Sequence, residues 1–297
     1  MAAQGKILDT LAVIGVGLIG GSLAGALKAS GAVDTVVGVG RNPENLATAL
    51  DRGFVDHVTT DLAEAVSAAD AVLLATPVST LVKFFPEVVR HLKPGAILTD
   101  AGSVKGSVVE SARATLGSCL AQFVPAHPIA GRERSGAAAA DIDLFRNHWV
   151  VLTPVEETDP QALQTVRGMW ECVGAKVRCM DTAVHDRILG MTSHLPHAVA
   201  YALVQQLGDL DGLEDYSSMT AGGFLDITRV ASSDPVMWRD IFVHNADITA
   251  DLIADHRGVL ERLEEIVRRR DGEELEVWFQ KAKKLRSELK SAKSRDH

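Results

Sequence analysis

Apolar positions change their rhythm once along this chain. Up to about residue 180, short runs of β-branched and aliphatic residues alternate with stretches of helical spacing. Leu11 to Ile14 predicts a buried strand, followed by a helix from Leu18 to Ala29. Further strands are predicted at Thr35–Val39, Ala71–Thr76 (halted by Pro77) and Ala96–Thr99 (launched from the turn Lys93-Pro94-Gly95). Phe123-Val124, Trp149–Leu152 and Lys176–Met180 follow, with a helix from Pro160 to about Val173 before the last. Strands alternating with helices predict a parallel sheet covered on both faces. Beyond Asp181 the spacing is helical, as in Val199, Leu203, Leu207 and in Leu252, Val259, Leu263, Val267. The expected fold is therefore α/β: a doubly wound, Rossmann-type sheet over residues 1–180, then an all-helical domain over 181–297.

The first strand runs into Gly15-Val16-Gly17-Leu18-Ile19-Gly20 and a helix. GxGxxG alone is weak; strand before and helix after make it a dinucleotide fingerprint. Gly15 allows a tight turn, Gly17 lets backbone approach a pyrophosphate, and Gly20 lets helix and strand pack closely. The first helical turn, at Leu18 and Ile19, offers N–H groups and the positive end of a dipole. Thr76 and Pro77, ending the third predicted strand, complete the expected cofactor-binding set.

The second strand ends in Val39-Gly40-Arg41. Gly40 stands where an acidic residue would bind a ribose 2′-OH, and Arg41 can pair with a 2′-phosphate. NADP is favoured over NAD, with NAD use left open.

Composition narrows the function. The 297 residues are 46% hydrophobic and 23% charged, with a formal net charge of −9. An acidic chain is poorly suited to nucleic acid, and no apolar run approaches a membrane span. The basic cluster Lys281 to Lys284 is interrupted downstream by Glu288 and Asp296 and reads as a solvated helix end. Cys119, Cys172 and Cys179 form no CxxC pair, and no signal peptide is evident. Reduced thiols in the cytoplasm are expected.

Three segments carry candidate chemistry. Asp100-Ala101-Gly102-Ser103-Val104-Lys105 follows a strand, where α/β sheets bind ligands; Ser103 faces the site or merely caps a helix. His127, in Ala126-His127-Pro128, is a general base or a surface-loop histidine. Asp226 and Arg229, three apart after Gly222-Gly223, bind substrate or form a buried structural ion pair. His194 and His197 are also three apart, but no nearby Cys, Asp or Glu completes a metal set, so substrate or hydrogen-bonding roles are expected. His57, His91, His185 and His256 show no constellation.

Five segments, in order, resemble the prephenate/arogenate (cyclohexadienyl) dehydrogenases: GVGLIGGS, DAGSVKG, AHPIAGRERSG, SHLPHAVAYAL and GGFLDITRVA. The resemblance runs from Leu11 through most of the helical region. It implies oxidative decarboxylation of prephenate or arogenate in tyrosine biosynthesis, a cleft between the two domains, and a homodimer formed through the helical one. It implies that His127 is the catalytic histidine, that Ser103 bonds near the substrate hydroxyl and nicotinamide, and that Arg229 holds a carboxylate. His194 and His197 match a pair near the pocket, and Glu133 and Asp226 match acidic residues at its mouth. With the chain ending at His297, the regulatory domain or fused mutase of some members is not expected. Two other readings compete. A β-hydroxyacid dehydrogenase shares the plan but relies on a lysine in its helical domain, where this chain has lysines only near the end. A non-catalytic NADP-binding sensor would leave Ser103, His127 and Arg229 unexplained.

Overall fold

The computed structural model describes residues 5–132 and 134–295; Glu133 lies outside the described residues. The described chain forms two compact units, 1–246 and 247–297.

In the first unit, β1 (Leu8–Ile14), β2 (Val33–Val39), β3 (His57–Thr59), β4 (Ala71–Leu74), β5 (Ile97–Asp100) and β6 (Phe123–Val124) form one parallel sheet in the order 3-2-1-4-5-6. The helices α1 (Leu18–Ala29), α2 (Pro43–Asp51), α3 (Leu62–Ala68), α4 (Val78–His91) and α5 (Gly106–Thr115) supply the crossovers. Two apolar clusters follow, one around Leu11, Val13, Leu23 and Val36, the other around Ile14, Leu74, Phe85 and Phe123. Buried on both faces, these strands read as continuous apolar runs.

The last two predicted strands, Trp149–Leu152 and Lys176–Met180, lie outside that parallel sheet. β7 (Ala126–Pro128), β8 (Trp149–Leu152) and β9 (Lys176–Cys179) form a separate three-stranded sheet, with β7 antiparallel to β8 and β8 parallel to β9. Pro125 lies between β6 and β7 and has no N–H to continue the first ladder. The third predicted strand also stops early, at Leu74, which leaves Thr76 in the loop beyond it.

After α6 (Pro160–Cys172) and β9 come α7 (Thr182–Leu189), α8 (Leu195–Gly208), α9 (Leu213–Ser218), α10 (Gly222–Thr228) and α11 (Pro235–His244). A π-helical turn, Gly190–His194, joins α7 to α8. Pro196 causes it: proline cannot donate to the carbonyl four residues back and its ring crowds that carbonyl, so the turn widens. The wide turn carries His194 inward, to 1% exposure. The second unit holds α12 (Ala246–Arg269) and α13 (Gly272–Arg295). Its apolar side chains Leu260, Val267, Val277, Phe279, Leu285 and Leu289 are exposed in the single chain. No helix among the described residues is long and apolar enough to cross a membrane.

Candidate active site

The glycine loop has the geometry its pattern demands. Gly15 has φ +98°, and a Cβ there would lie 2.7 Å from the Ala75 carbonyl oxygen. A Cβ on Gly20 would lie 2.3 Å from the Gly15 oxygen, whereas one on Gly17 would meet nothing within 4 Å. Gly15 and Gly20 thus serve the turn, while Gly17 faces the open space that an approaching pyrophosphate requires. Gly17 caps α1 without a side-chain bond, leaving the first-turn N–H groups at Leu18 and Ile19 for a ligand. Thr76 Oγ1 is buried beside this loop with no partner among the described residues. These features fit a dinucleotide. Asn45 braces the loop, donating to the Val16 carbonyl at 2.6 Å and accepting from Ala137 N at 2.7 Å. Arg41 is exposed just past β2, beside Asn42, Pro43 and Glu44.

His127 sits on β7, opposite Val151, and is only 9% exposed. The surface-loop alternative is therefore excluded. Its Nδ1 is 2.8 Å from His185 Nε2, and His185 Nδ1 is 2.7 Å from Asp186 Oδ1. Asp186 also accepts from Lys105 N at 2.9 Å and Gly106 N at 2.7 Å, at the start of α5. Burial raises the Asp186 carboxyl, but the His185 bond and these two N–H groups outweigh it and hold it below its ordinary value. Burial, reinforced by His185, Lys105 and His194, pushes the His127 imidazole well below 6.5. His127 is thus neutral at neutral pH, the form a base requires.

Beneath this pair, Lys105 is fully buried. Its ammonium bonds the Asp100 carboxylate and donates to the Ala126 carbonyl at 2.8 Å. Asp100 further accepts from Gly102 N at 2.8 Å and Ala126 N at 3.1 Å. Burial lowers the Lys105 pKa and Asp100 opposes that fall. The pair clamps the Ser103 loop to the strand that carries His127. Ser103 is half-buried in that loop, and Lys105, not Ser103, occupies the N-cap of α5. The capping alternative for Ser103 fails.

The helical residues close the other side. Asn245 Nδ2 donates to His194 Nδ1 at 3.1 Å, which leaves the proton of the neutral ring on Nε2. Burial lowers His194 to about 4, although Asp186 pulls the other way. His197 donates from Nδ1 to the Ser193 carbonyl at 2.8 Å and stacks on Trp238, with centroids 3.5 Å apart. Burial lowers His197 and the Arg229 charge lowers it further, so Arg229 lies within electrostatic reach of the histidine cluster. Trp238 is buried, and its Nε1 has no partner among the described residues. His244 ties α11 to the starts of α4 and α5, at 2.9 Å from Ser79 Oγ and 3.1 Å from Ser107 Oγ.

Arg229 and Asp226 are both exposed, so the buried ion-pair alternative does not hold. Asp226 lies on α10, whereas Arg229 opens the 3-10 turn Arg229–Ser232. Arg229 also lines a cavity of about 990 Å³ with Arg52, Arg132 and Arg134. Sequence reasoning missed His185, Asp186 and Trp238. Only the adjacency of His185 and Asp186, just behind the helix cap Asp181, hinted at the first two.

The family described as prephenate dehydrogenase, nucleotide-binding domain, matches residues 23–179, and its dimerization-domain counterpart matches 181–281. A cyclohexadienyl dehydrogenase of Zymomonas mobilis is 37% identical, over 96% of this chain and 97% of its own. A prephenate dehydrogenase of Bacillus subtilis is 36% identical, over 96% of this chain and 77% of its own. The crystal structure of prephenate dehydrogenase from A. aeolicus, with hydroxyphenyl propionate and NAD+, superposes with TM-score 0.89. It is 38% identical, over 95% of this chain and 98% of that one.

Proposed function

Because this chain belongs to the prephenate dehydrogenase family, we propose that it oxidatively decarboxylates prephenate, arogenate or both, with His127 as the general base. The observation that carries this reading is a neutral, buried imidazole at the end of a hydrogen-bonded chain, in a chain whose glycine loop fits a dinucleotide.

The substrate is a cyclohexadienol with a carboxylate and a hydroxyl on opposite ring carbons. The dinucleotide held at Gly15, Gly17, Leu18, Ile19, Gly20, Thr76 and Pro77 supplies the hydride acceptor. His127 Nε2 takes the hydroxyl proton as hydride leaves the same carbon. The ring carboxylate departs as carbon dioxide, its bonding electrons enter the ring, the ring becomes aromatic, and the phenolate oxygen takes the proton back from His127. Aromatisation makes the step downhill, so positioning and deprotonation are the main tasks left to the protein. Ser103, in the loop clamped by Lys105 and Asp100, bonds the hydroxyl and sets its direction. Arg229 pairs with a substrate carboxylate, and His194 and His197 offer neutral polar contacts close by. Acidic roles toward the substrate fall to Asp226 and to Glu133, the latter outside the described residues.

Arg229 acts mainly in binding. Arg229→Ala is expected to raise substrate KM roughly 10- to 100-fold while kcat moves less than about threefold. Steady-state kinetics check this; an unchanged KM would put the carboxylate elsewhere.

We further propose that NADP is the favoured cofactor, because Arg41 follows a strand end that has no acidic residue to repel a 2′-phosphate. Arg41→Ala should lower kcat/KM for NADP about tenfold and leave NAD nearly unchanged. Equal losses with both cofactors would contradict the role. Residues 1–180 serve as the nucleotide domain and 181–297 as the substrate and dimerisation domain. A homodimer would cover the exposed apolar side chains of α12 and α13. Cys119, Cys172 and Cys179, all free thiols, suit the reducing cytoplasm.

A further inference from the structure

The pair behind His127 has no role in the steps above. Resting on His127 as the base, we propose that His185 and Asp186 are positioning residues that fix the tautomer of His127 and stabilise the imidazolium it becomes.

The argument follows protons along the chain. Asp186 is held from outside the pair by the N–H groups of Lys105 and Gly106, so its carboxylate is oriented before His185 meets it. An ionised carboxylate has no proton to give, so His185 Nδ1 donates across the 2.7 Å contact. A neutral His185 then carries a lone pair on Nε2. His127 Nδ1, 2.8 Å away, must therefore be the donor, and the lone pair of His127 lies on Nε2. Among the described residues Nε2 makes no hydrogen bond, which leaves it for the substrate hydroxyl. A fixed carboxylate thus selects the protonation state of an atom two imidazoles away.

Charge points the same way. When His127 accepts a proton it becomes a cation where burial, His185, Lys105 and His194 all oppose one. Among the described residues, two carboxylates are near. Asp100 on β5 is already engaged by the Lys105 ammonium. Asp186 on α7 is the one that reaches His127, through a single intervening ring. The imidazolium forms at Nε2 while Nδ1 keeps its proton and its bond to His185, so His185 and Asp186 neither gain nor lose a proton during turnover.

Three variants test this, each assayed as the full chain. Asp186→Asn removes the charge and, with one oxygen replaced by an NH2, cannot accept from His185 Nδ1, Lys105 N and Gly106 N together. The tautomer of His185, and through it that of His127, is then no longer fixed. Expected is a fall in kcat of about 10²–10⁴-fold, with substrate KM and cofactor Kd within about threefold. The acid limb of the kcat–pH profile should also move to lower pH, because the imidazolium has lost its counter-charge. His185→Gln keeps a carbonyl acceptor for His127 Nδ1, and His185→Leu does not. The Gln variant should retain at least about tenfold more kcat than the Leu variant. A purely structural role would lower thermal stability and leave the acid limb in place. The proposal is overturned by near-normal kcat in Asp186→Asn, by an unmoved acid limb, or by equal activity of the two His185 variants. If Asp186→Asn fails to fold, the His185 comparison decides. The outcome is separable from the base assignment, since near-normal kcat in His127→Asn would remove His127 itself.

Discussion

Replacing His127 by Asn lowers kcat by about 10²–10⁴-fold at neutral pH and leaves KM within about threefold. The carboxamide can keep the contact with His185 from the Nδ1 position, so the buried chain survives. What disappears is Nε2, the atom proposed to accept the substrate proton. With binding assigned to Arg229 and the helical histidines, KM should scarcely change. The pH dependence of the unmodified protein follows from the same group. His127 works as the neutral ring, and burial first, then His185, Lys105 and His194, places its pKa below 6.5. Its kcat should therefore stay level through neutrality and fall only as acid protonates the ring, with a midpoint under 6.5. Steady-state turnover across pH checks both statements. A His127→Asn variant of near-normal kcat would show that another group takes the proton.

Lys105→Met removes the cation of a buried ion pair beneath the site. The pair it forms with Asp100 is buried on both sides, at 0% side-chain exposure. Two N–H donors remain for Asp100, from Gly102 and Ala126, but the carboxylate loses its only cationic partner among the described residues. Breaking one side of such a pair costs roughly 3–5 kcal/mol. In a domain of this size that corresponds to about 6–20 °C in Tm. Thermal unfolding of the two proteins measures it. Lys105 also donates to the Ala126 carbonyl, one residue before His127, so kcat should fall alongside stability. A variant with unchanged Tm would mean that the buried pair contributes little to stability.

The parts of this molecule that were legible in advance are those in which the signal is local. The strand–glycine–helix unit at β1 and α1 declares itself through apolar run, loop spacing and helix in one stretch of about twenty residues. Ser103 and His127 could be marked because strand ends hold ligands in this class of fold. Their alternatives, cap and surface loop, needed coordinates to dismiss. The second sheet was not legible: β7 is three residues long, and antiparallel pairing across a long excursion leaves no periodic trace. Neither was the relay. His185 lies 58 residues beyond His127, and only the tertiary fold brings the rings to 2.8 Å. Lys105 read as one more polar residue of a loop, because a buried lysine is recognisable only by the carboxylate it meets. The π-helical turn was hidden for another reason: the effect of Pro196 falls on the residues before it, where it turns His194 inward.

The most direct test of the central claim is turnover by the purified protein, following reduced nicotinamide and carbon dioxide together. Prephenate, arogenate and a simple 3-hydroxyacid would each be offered with NAD and with NADP. The account predicts equimolar reduced cofactor and carbon dioxide from at least one cyclohexadienyl substrate, none from the 3-hydroxyacid, and loss of both products in His127→Asn. Tight dinucleotide binding without any cyclohexadienyl turnover, or reduction without carbon dioxide release, would contradict it.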